Sequence, residues 1–155
     1  MIPPVRLRAA RRGEARAQAS WIVGLEPWRS LGYTADKLGA WLERVAAART
    51  HVVHVAIGRD DALTGISVVQ EGVLLGDFIA LLAVRPEAAG TGVGRALVEG
   101  ARARSERRWL YTSHDRANRD AALFYKKLGF ARVGKLPDMI SEGRDEILLR
   151  RATSI

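Results

Sequence analysis

The stretch that decides the fold runs Phe78-Ile79-Ala80-Leu81-Leu82-Ala83-Val84, then Arg85-Pro86-Glu87-Ala88-Ala89, then Gly90-Thr91-Gly92-Val93-Gly94, then Arg95-Ala96-Leu97-Val98. Seven consecutive apolar residues suit a strand buried on both faces, and Pro86 bars that strand from continuing. Three alternate glycines follow. Behind them the apolar positions Val93, Ala96, Leu97, Gly100 and Ala101 mark one face of a helix. A buried strand therefore feeds a glycine-rich turn that opens a helix. The first turn of a helix offers unpaired backbone N–H groups and the positive end of its dipole, and glycines let a bulky anion approach that backbone. The chemistry this combination serves is a phosphate cradle; its bland counterpart is a tight strand–helix turn that holds no ligand.

Spacing narrows the choice of cradle. A P-loop carries Lys-Ser or Lys-Thr after its last glycine, whereas Gly94 is followed by Arg95-Ala96. The dinucleotide fingerprint requires G-x-G-x-x-G, whereas this turn reads G-x-G-x-G and lies past the middle of the chain. Val84-Arg85-Pro86-Glu87, Ala89-Gly90-Thr91-Gly92-Val93-Gly94 and Arg95-Ala96-Leu97 resemble the pyrophosphate-binding motif of the GNAT acetyltransferases. That family usually carries Arg or Gln where this chain has Ala89. A second segment, Asn118-Arg119-Asp120-Ala121-Ala122-Leu123-Phe124-Tyr125-Lys126-Lys127-Leu128-Gly129-Phe130, resembles the family's N-x-x-A-x-x-[FL]-Y-x-x-x-G-F signature. Two motifs in the right order are far more specific than either alone. Weaker matches are Pro27-Trp28 with Leu31-Gly32 near the start, and Leu136-Pro137-Asp138 with the run from Gly143 to Arg150 at the end.

The rest of the chain reads as mixed α/β. Val5 to Ala9 alternates as a short strand. Ala15, Ala19, Ile22 and Val23 share a helix face, and Glu26 to Tyr33 breaks it. Thr34 suits an N-cap; Leu38, Trp41, Leu42, Val45 and Ala46 then repeat at helical spacing. His51 to Ile57 and Ala62 to Gln70 read as a hairpin around Gly58-Arg59-Asp60-Asp61, and Gln70-Glu71-Gly72 as the next turn. The central strand begins near Leu74, with Gly76-Asp77 as an interruption, and the helix after the glycine turn runs to about Glu106. Arg108 to Ser113 is rich in β-formers, and His114 to Asn118 is a polar lead into a short helix ended by Gly129. Phe130 to Val133 and Glu146 to Arg150 are strands, with Leu136 to Gly143 as the loop between them. The order β-α-α-β-β-β-α-β-α-β-β gives a central mixed sheet flanked by helices, which is also the GNAT order.

At 155 residues, with no repeat, linker or low-complexity segment, residues 1–155 read as one domain. The chain has no cysteine, which excludes disulfides, a thiol nucleophile and Cys-ligated zinc. His51 and His54 fall on opposite strand faces, which argues against a metal pair. No apolar run is long enough to cross a membrane, and Met1 to Arg6 lacks the apolar core of a secretion signal, so the expected location is cytoplasmic. The net charge of +8, carried mostly by Arg, suits polyanions, CoA phosphates among them. The basic clusters are not interleaved with aromatics and carry no nucleic-acid-binding signature.

The resemblance implies an N-acetyltransferase that moves an acetyl group from acetyl-CoA to a primary amine by direct attack in a ternary complex. A protonated amine with a lysine-like pKa cannot attack a thioester, and freeing its lone pair at neutral pH costs about 4–5 kcal/mol, so a base is required. The departing thiolate wants a hydrogen-bond donor, and a phenol suits. The resemblance gives Tyr125 that role. It assigns Asn118 a hydrogen bond to the cofactor arm, alongside an ordinary N-cap role. The amides of Leu82, Ala83 and Val84 become oxyanion and cofactor contacts at a strand bulge. The cradle itself is Ala89, Gly90, Thr91, Gly92, Val93, Gly94 and Arg95.

On the central strand the family often places a Glu or His as base; the only ionisable residue there is Asp77, the expected base, with Glu26, His51, His54 and Asp61 as other candidates. Trp28 and Tyr33 are expected to shape the acceptor pocket, together with the loop from Leu136 to Gly143. The acceptor is a small-molecule or peptide amine, and the family's habit of pairing through its last strands implies a homodimer. No metal, membrane or nucleic acid is called for. The competing reading is a non-catalytic CoA-binding sensor, or a nucleic-acid-associated module on the same fold, and Ala89 speaks for it.

Overall fold

The computed structural model describes residues 5–154; Met1 to Pro4, part of the N-terminal stretch considered above, lie outside them. The elements are β1 (Arg6–Ala9), α1 (Glu14–Ala17), α2 (Ala19–Ile22), α3 (Ala35–Ala47), β2 (His51–Ile57), β3 (Leu63–Val73), β4 (Gly76–Val84), α4 (Val93–Arg104), β5 (Trp109–Asp115), α5 (Arg119–Lys127), β6 (Ala131–Ser141) and β7 (Arg144–Ala152). The strands form one seven-stranded sheet in the order β1-β2-β3-β4-β5-β7-β6. Every neighbouring pair is antiparallel except β4–β5.

Helices cover both faces. Ala15, Ala19, Ile22, Leu38, Leu42 and Val45 from α1–α3 bury against Val53, Val55, Ile66, Val68, Leu81 and Ala83. On the other face Val98 and Ala101 of α4 and Tyr125 and Leu128 of α5 bury against Ile79, Leu110, Ile147 and Leu149. Thr34 caps α3 as expected, its Oγ1 accepting the Lys37 N–H at 3.1 Å.

Four boundaries differ from the sequence reading. The first helix is two short ones, because at Gln18 the ladder tightens to a three-residue bond, Gln18 N–H to the Ala15 carbonyl at 3.1 Å. The β3–β4 turn is Leu74-Leu75, both with positive φ, rather than Gln70-Glu71-Gly72; Gly72 sits at a register shift inside β3. β5 continues through His114 to Asp115. The segment expected as the loop Leu136–Gly143 is strand as far as Ser141. Its Pro137 is tolerated because β6 is the edge strand, and the register there breaks between Leu136 and Ser141.

The feature that positions the site is a bulge in β4. Val68 pairs Leu81 and Val69 pairs Ile79, so Ala80 is an extra residue. It switches the strand's facing: Ile79 belongs to the α4–α5 side, Leu81 and Ala83 to the α1–α3 side. The β4–β5 ladder spans Gly76↔Trp109 to Ile79↔Thr112 and ends there. Beyond the bulge the two central strands part.

Candidate active site

The parted strands open a cleft of about 560 Å³. Ile79 to Leu82 and Thr112 to Asp115 form its walls, Asn118, Ala121 and Tyr125 of α5 close one side, and Glu26, Trp28, Tyr33 and Trp41 close the other. Backbone donors face this gap. Arg85 N–H bonds the Thr64 carbonyl of β3, so the two-residue alternation of a strand turns the Leu82 and Val84 N–H groups the opposite way, toward the missing β5 partner. Ala83 N–H then points to β3, and that residue contributes by packing rather than by its amide. The bulge expected near Leu82 to Val84 lies slightly earlier, at Ala80.

The glycine turn sits just beyond. Gly90 and Gly92 hold φ of 76° and 89°, and a Cβ added to either would meet nothing within 4 Å. The left-handed backbone, and not crowding, therefore calls for glycine at these two positions. Gly92 caps α4 without any side-chain hydrogen bond. The first internal helical bond is Ala96 N–H to the Gly92 carbonyl at 2.9 Å; the N–H groups of Val93, Gly94 and Arg95 thus remain free among the described residues. The Ala89 and Thr91 amides are spent on the Pro86 and Ala88 carbonyls. Gly94 answers to packing, since a Cβ there would come within 3.1 Å of the Phe124 ring. The exposed Arg95 is in no ion pair among the described residues. These free amides and this cation fit a diphosphate.

Tyr125 comes to the same cleft from α5. Its ring is wedged edge-on between Phe124 and Phe130, with centroids 5.0 and 5.3 Å away. Burial pushes the phenol up to about 12, against a hydrogen bond with Thr112 that pulls the other way. Thr112 is the last β5 residue paired to β4, and its Oγ1 donates to the Ile79 carbonyl at 3.2 Å. The phenol hydroxyl therefore lies at the point where the strands separate. Asn118 caps α5, its Oδ1 accepting the Ala121 N–H at 3.0 Å, and also lines the cleft.

Asp77, expected as the base, does not line this cleft, and its position speaks against that role. It starts β4, at the far end from the bulge, and is 3% exposed. Its carboxylate accepts from Gly72 N–H and Arg107 Nη1, both at 3.1 Å, and from the Ser105 hydroxyl. These three bonds hold the carboxylate in place away from the cleft. Of the other candidates, Glu26 lines the cleft, but the Ser30 N–H at 2.8 Å holds its carboxyl below the usual range. His54 is buried against Arg104, and burial lowers its pKa. Trp28 and Tyr33 line the cleft; of the anticipated loop 136–143 only Ile140 does. Ser113, His114 and Asp115 were missed as site residues. Extending β5 past the end of its apolar run along both alternating faces, Leu110-Thr112-His114 and Tyr111-Ser113-Asp115, would have reached them.

A parallel strand pair split by a bulge, with bare amides at the mouth and a buried tyrosine at the fork, suits transfer of an acyl group from a phosphate-bearing thioester. A model of the acetyltransferase (GNAT) domain matches residues 45–132, more than half of the chain, and the chain belongs to that family of acyltransferases. No curated protein sequence matches it.

Solved structures share the fold. A GNAT-family acetyltransferase from Desulfovibrio desulfuricans superposes with a TM-score of 0.75 at 20% identity, over 97% of this chain and 100% of that one. The spermidine N-acetyltransferase of Vibrio cholerae, solved with CoA and spermine, gives 0.75 at 20% identity over 97% and 96%. The ribosomal-protein-S18-alanine N-acetyltransferase of Escherichia coli gives 0.74 at 14% identity over 98% and 96%. No helix among the described residues is long and apolar enough to cross a membrane.

Proposed function

We propose that the chain works as one N-acetyltransferase domain in the cytoplasm, moving an acetyl group from acetyl-CoA to a primary amine by direct attack in a ternary complex. The observation that carries this reading is the convergence of three things on one cleft: the amides freed by the β4–β5 fork, the uncapped start of α4, and the Tyr125 hydroxyl at Thr112.

Acetyl-CoA supplies the activated acyl group. The free N–H groups of Val93, Gly94 and Arg95, with the left-handed Gly90 and Gly92 and the Arg95 cation, would hold its diphosphate. Thr91 keeps the turn closed, its hydroxyl donating to the Ala88 carbonyl at 2.5 Å. The exposed Ala89 adds only backbone shape. Asn118 steadies the start of α5 beside the cofactor arm. The Leu82 and Val84 amides, flanking Ala83, would face the carbonyl oxygen as it gains charge. Tyr125 stays protonated far above neutral pH, so it offers the departing sulfur a hydrogen bond at every working pH. Trp28 and Tyr33 would flank the acceptor's apolar part, and the edge strand β6 is where a second copy would pair.

Calorimetry with acetyl-CoA, followed by thiol release over a panel of amines, tests the reading. Saturable binding with amine-dependent release is expected. Binding without release on any amine would favour the CoA sensor, which the missing Arg or Gln at Ala89 makes the second reading.

A further inference from the structure

Glu146 is a buried carboxylate that the transfer described above does not use. It is 6% exposed and forms no ion pair among the described residues. Removing a carboxylate from water without a counter-cation is costly, and chains avoid it unless the group is used. Its one side-chain hydrogen bond comes from the Ser113 hydroxyl, which donates to Oε1 at 3.0 Å. Among the described residues no fully buried side-chain polar atom lacks a partner. Oε2, which has no hydrogen bond among the described residues, therefore keeps contact with solvent.

The register shows which way the pair faces. Asp115 lies opposite Glu146 and Ser113 opposite Leu148, so Ser113, Asp115 and Glu146 share one face of the sheet. Arg144, two residues from Glu146 and on the same face, reaches the Glu26–Tyr33 loop, bonding Ser30 Oγ at 2.8 Å. That is the acceptor side of the cleft, and Ser113 lines it. Thr112 and His114 lie on the opposite face, toward Tyr125 and the α5 core.

We infer that the Ser113 hydroxyl and Glu146 form the proton outlet of the transfer: the acceptor ammonium gives a proton to Ser113 Oγ as Ser113 passes its own to Glu146. This rests on the acetyltransferase reading above and names the base that reading lacks. The freed lone pair then forms the N–C bond to the acetyl carbonyl as the C–S bond breaks. The nitrogen's second proton ends on the CoA sulfur, and the proton on Glu146 leaves through Oε2 to solvent.

The other charged groups on this face are occupied. Asp115 accepts from Arg144 Nε and Nη2, both at 2.9 Å, and from the Ala117 N–H at 2.8 Å. Glu26, on the loop above it, is held by Ser30; Asp145 of β7 points to the opposite face, where it is paired with Lys135 of β6 at 3.7 Å. On the far face His114 Nδ1 is 2.7 Å from the Asp115 carbonyl. Burial, aided by the charge of Asp115, raises the Glu146 carboxyl and so favours its taking up a proton, against the pull of Ser113, His114 and Arg144.

The test measures amine-dependent thiol release, acetyl-CoA affinity and thermal midpoint for the full chain and for Glu146→Gln, Ser113→Ala and His114→Gln. Glu146→Gln is expected to lose about 100-fold in turnover near neutral pH. It should keep its acetyl-CoA affinity and melt no lower than the parent, because the buried charge is gone. Its deficit should shrink as pH rises, since the acceptor then deprotonates unaided. Ser113→Ala should lose about tenfold and show the same narrowing.

Glu146→Gln turning over within about threefold of the parent would overturn the inference and leave the acetyltransferase reading intact. So would a lower melting point with a deficit that ignores pH, which marks a structural role, or transfer of the pH effect to His114→Gln. A parent protein that binds acetyl-CoA yet acetylates no amine would sink the reading itself, and the inference with it.

Discussion

The two ends of β4 are nine residues of one strand put to opposite uses. At its start, Gly76 to Ile79 are paired on both sides, and the Asp77 carboxylate is surrounded by Gly72, Ser105 and Arg107. At its finish, past Ala80, one edge has no partner and donors are left over. The saturated end carries the strand's only charge and contributes stability. The unsaturated end carries only apolar side chains, and its chemistry belongs to the main chain. A search for ionisable residues along this strand therefore leads to the wrong end.

That contrast can be broken or sharpened by substitution. The largest effect is expected from Tyr125→Phe, which removes the hydroxyl at the fork: turnover should fall about 100-fold with acetyl-CoA affinity held within about threefold, read by thiol release and calorimetry. Unchanged turnover would remove Tyr125 from the chemistry. Asp77→Ala, at the saturated end, should cost about 2 kcal/mol in urea unfolding, since the hydrogen bonds of a buried carboxylate are lost; turnover per folded molecule should stay within about twofold. A turnover collapse without loss of stability would return Asp77 to the reaction.

Alkaline pH probes the open end. The folded phenol titrates at about 12, above the ordinary value near 10. The unfolded chain thus loses this proton first, and the contribution is complete below pH 10 and lost as pH rises through the folded value. At pH 11 the parent should be about 1.4 kcal/mol less stable on this account than at pH 8, and Tyr125→Phe should not show that increment. Gly92→Ala should be the mildest, about 1 kcal/mol of backbone strain at a left-handed position, seen as a several-fold weaker acetyl-CoA affinity.

Much of the fold was legible because its signals are local. The apolar run before Pro86, the i, i+3, i+4 spacing behind Gly92 and the Thr34 cap all declare themselves within a few residues. What the sequence hid depends on pairing. Leu74-Leu75 replaces the turn expected at Gly72 because the β3–β4 register, and not turn propensity, sets where the hairpin closes. Pro137 reads as a loop residue until β6 is known to be an edge. The glycine turn and Tyr125 stand out in the sequence as candidates because their residue types and spacing are distinctive. Ser113 and Glu146 do not, because thirty-three residues separate two ordinary side chains that only the β5–β7 register brings together.

The central claim is that main-chain amides just past the β4 fork hold a diphosphate and so direct the thioester toward Tyr125. A crystal structure of the chain soaked with acetyl-CoA tests it most directly. The expected result is the diphosphate against the Val93, Gly94 and Arg95 N–H groups with the sulfur in hydrogen-bond reach of the Tyr125 hydroxyl. A cofactor bound elsewhere, or one seated at α4 with its sulfur turned away from Tyr125, would contradict the account.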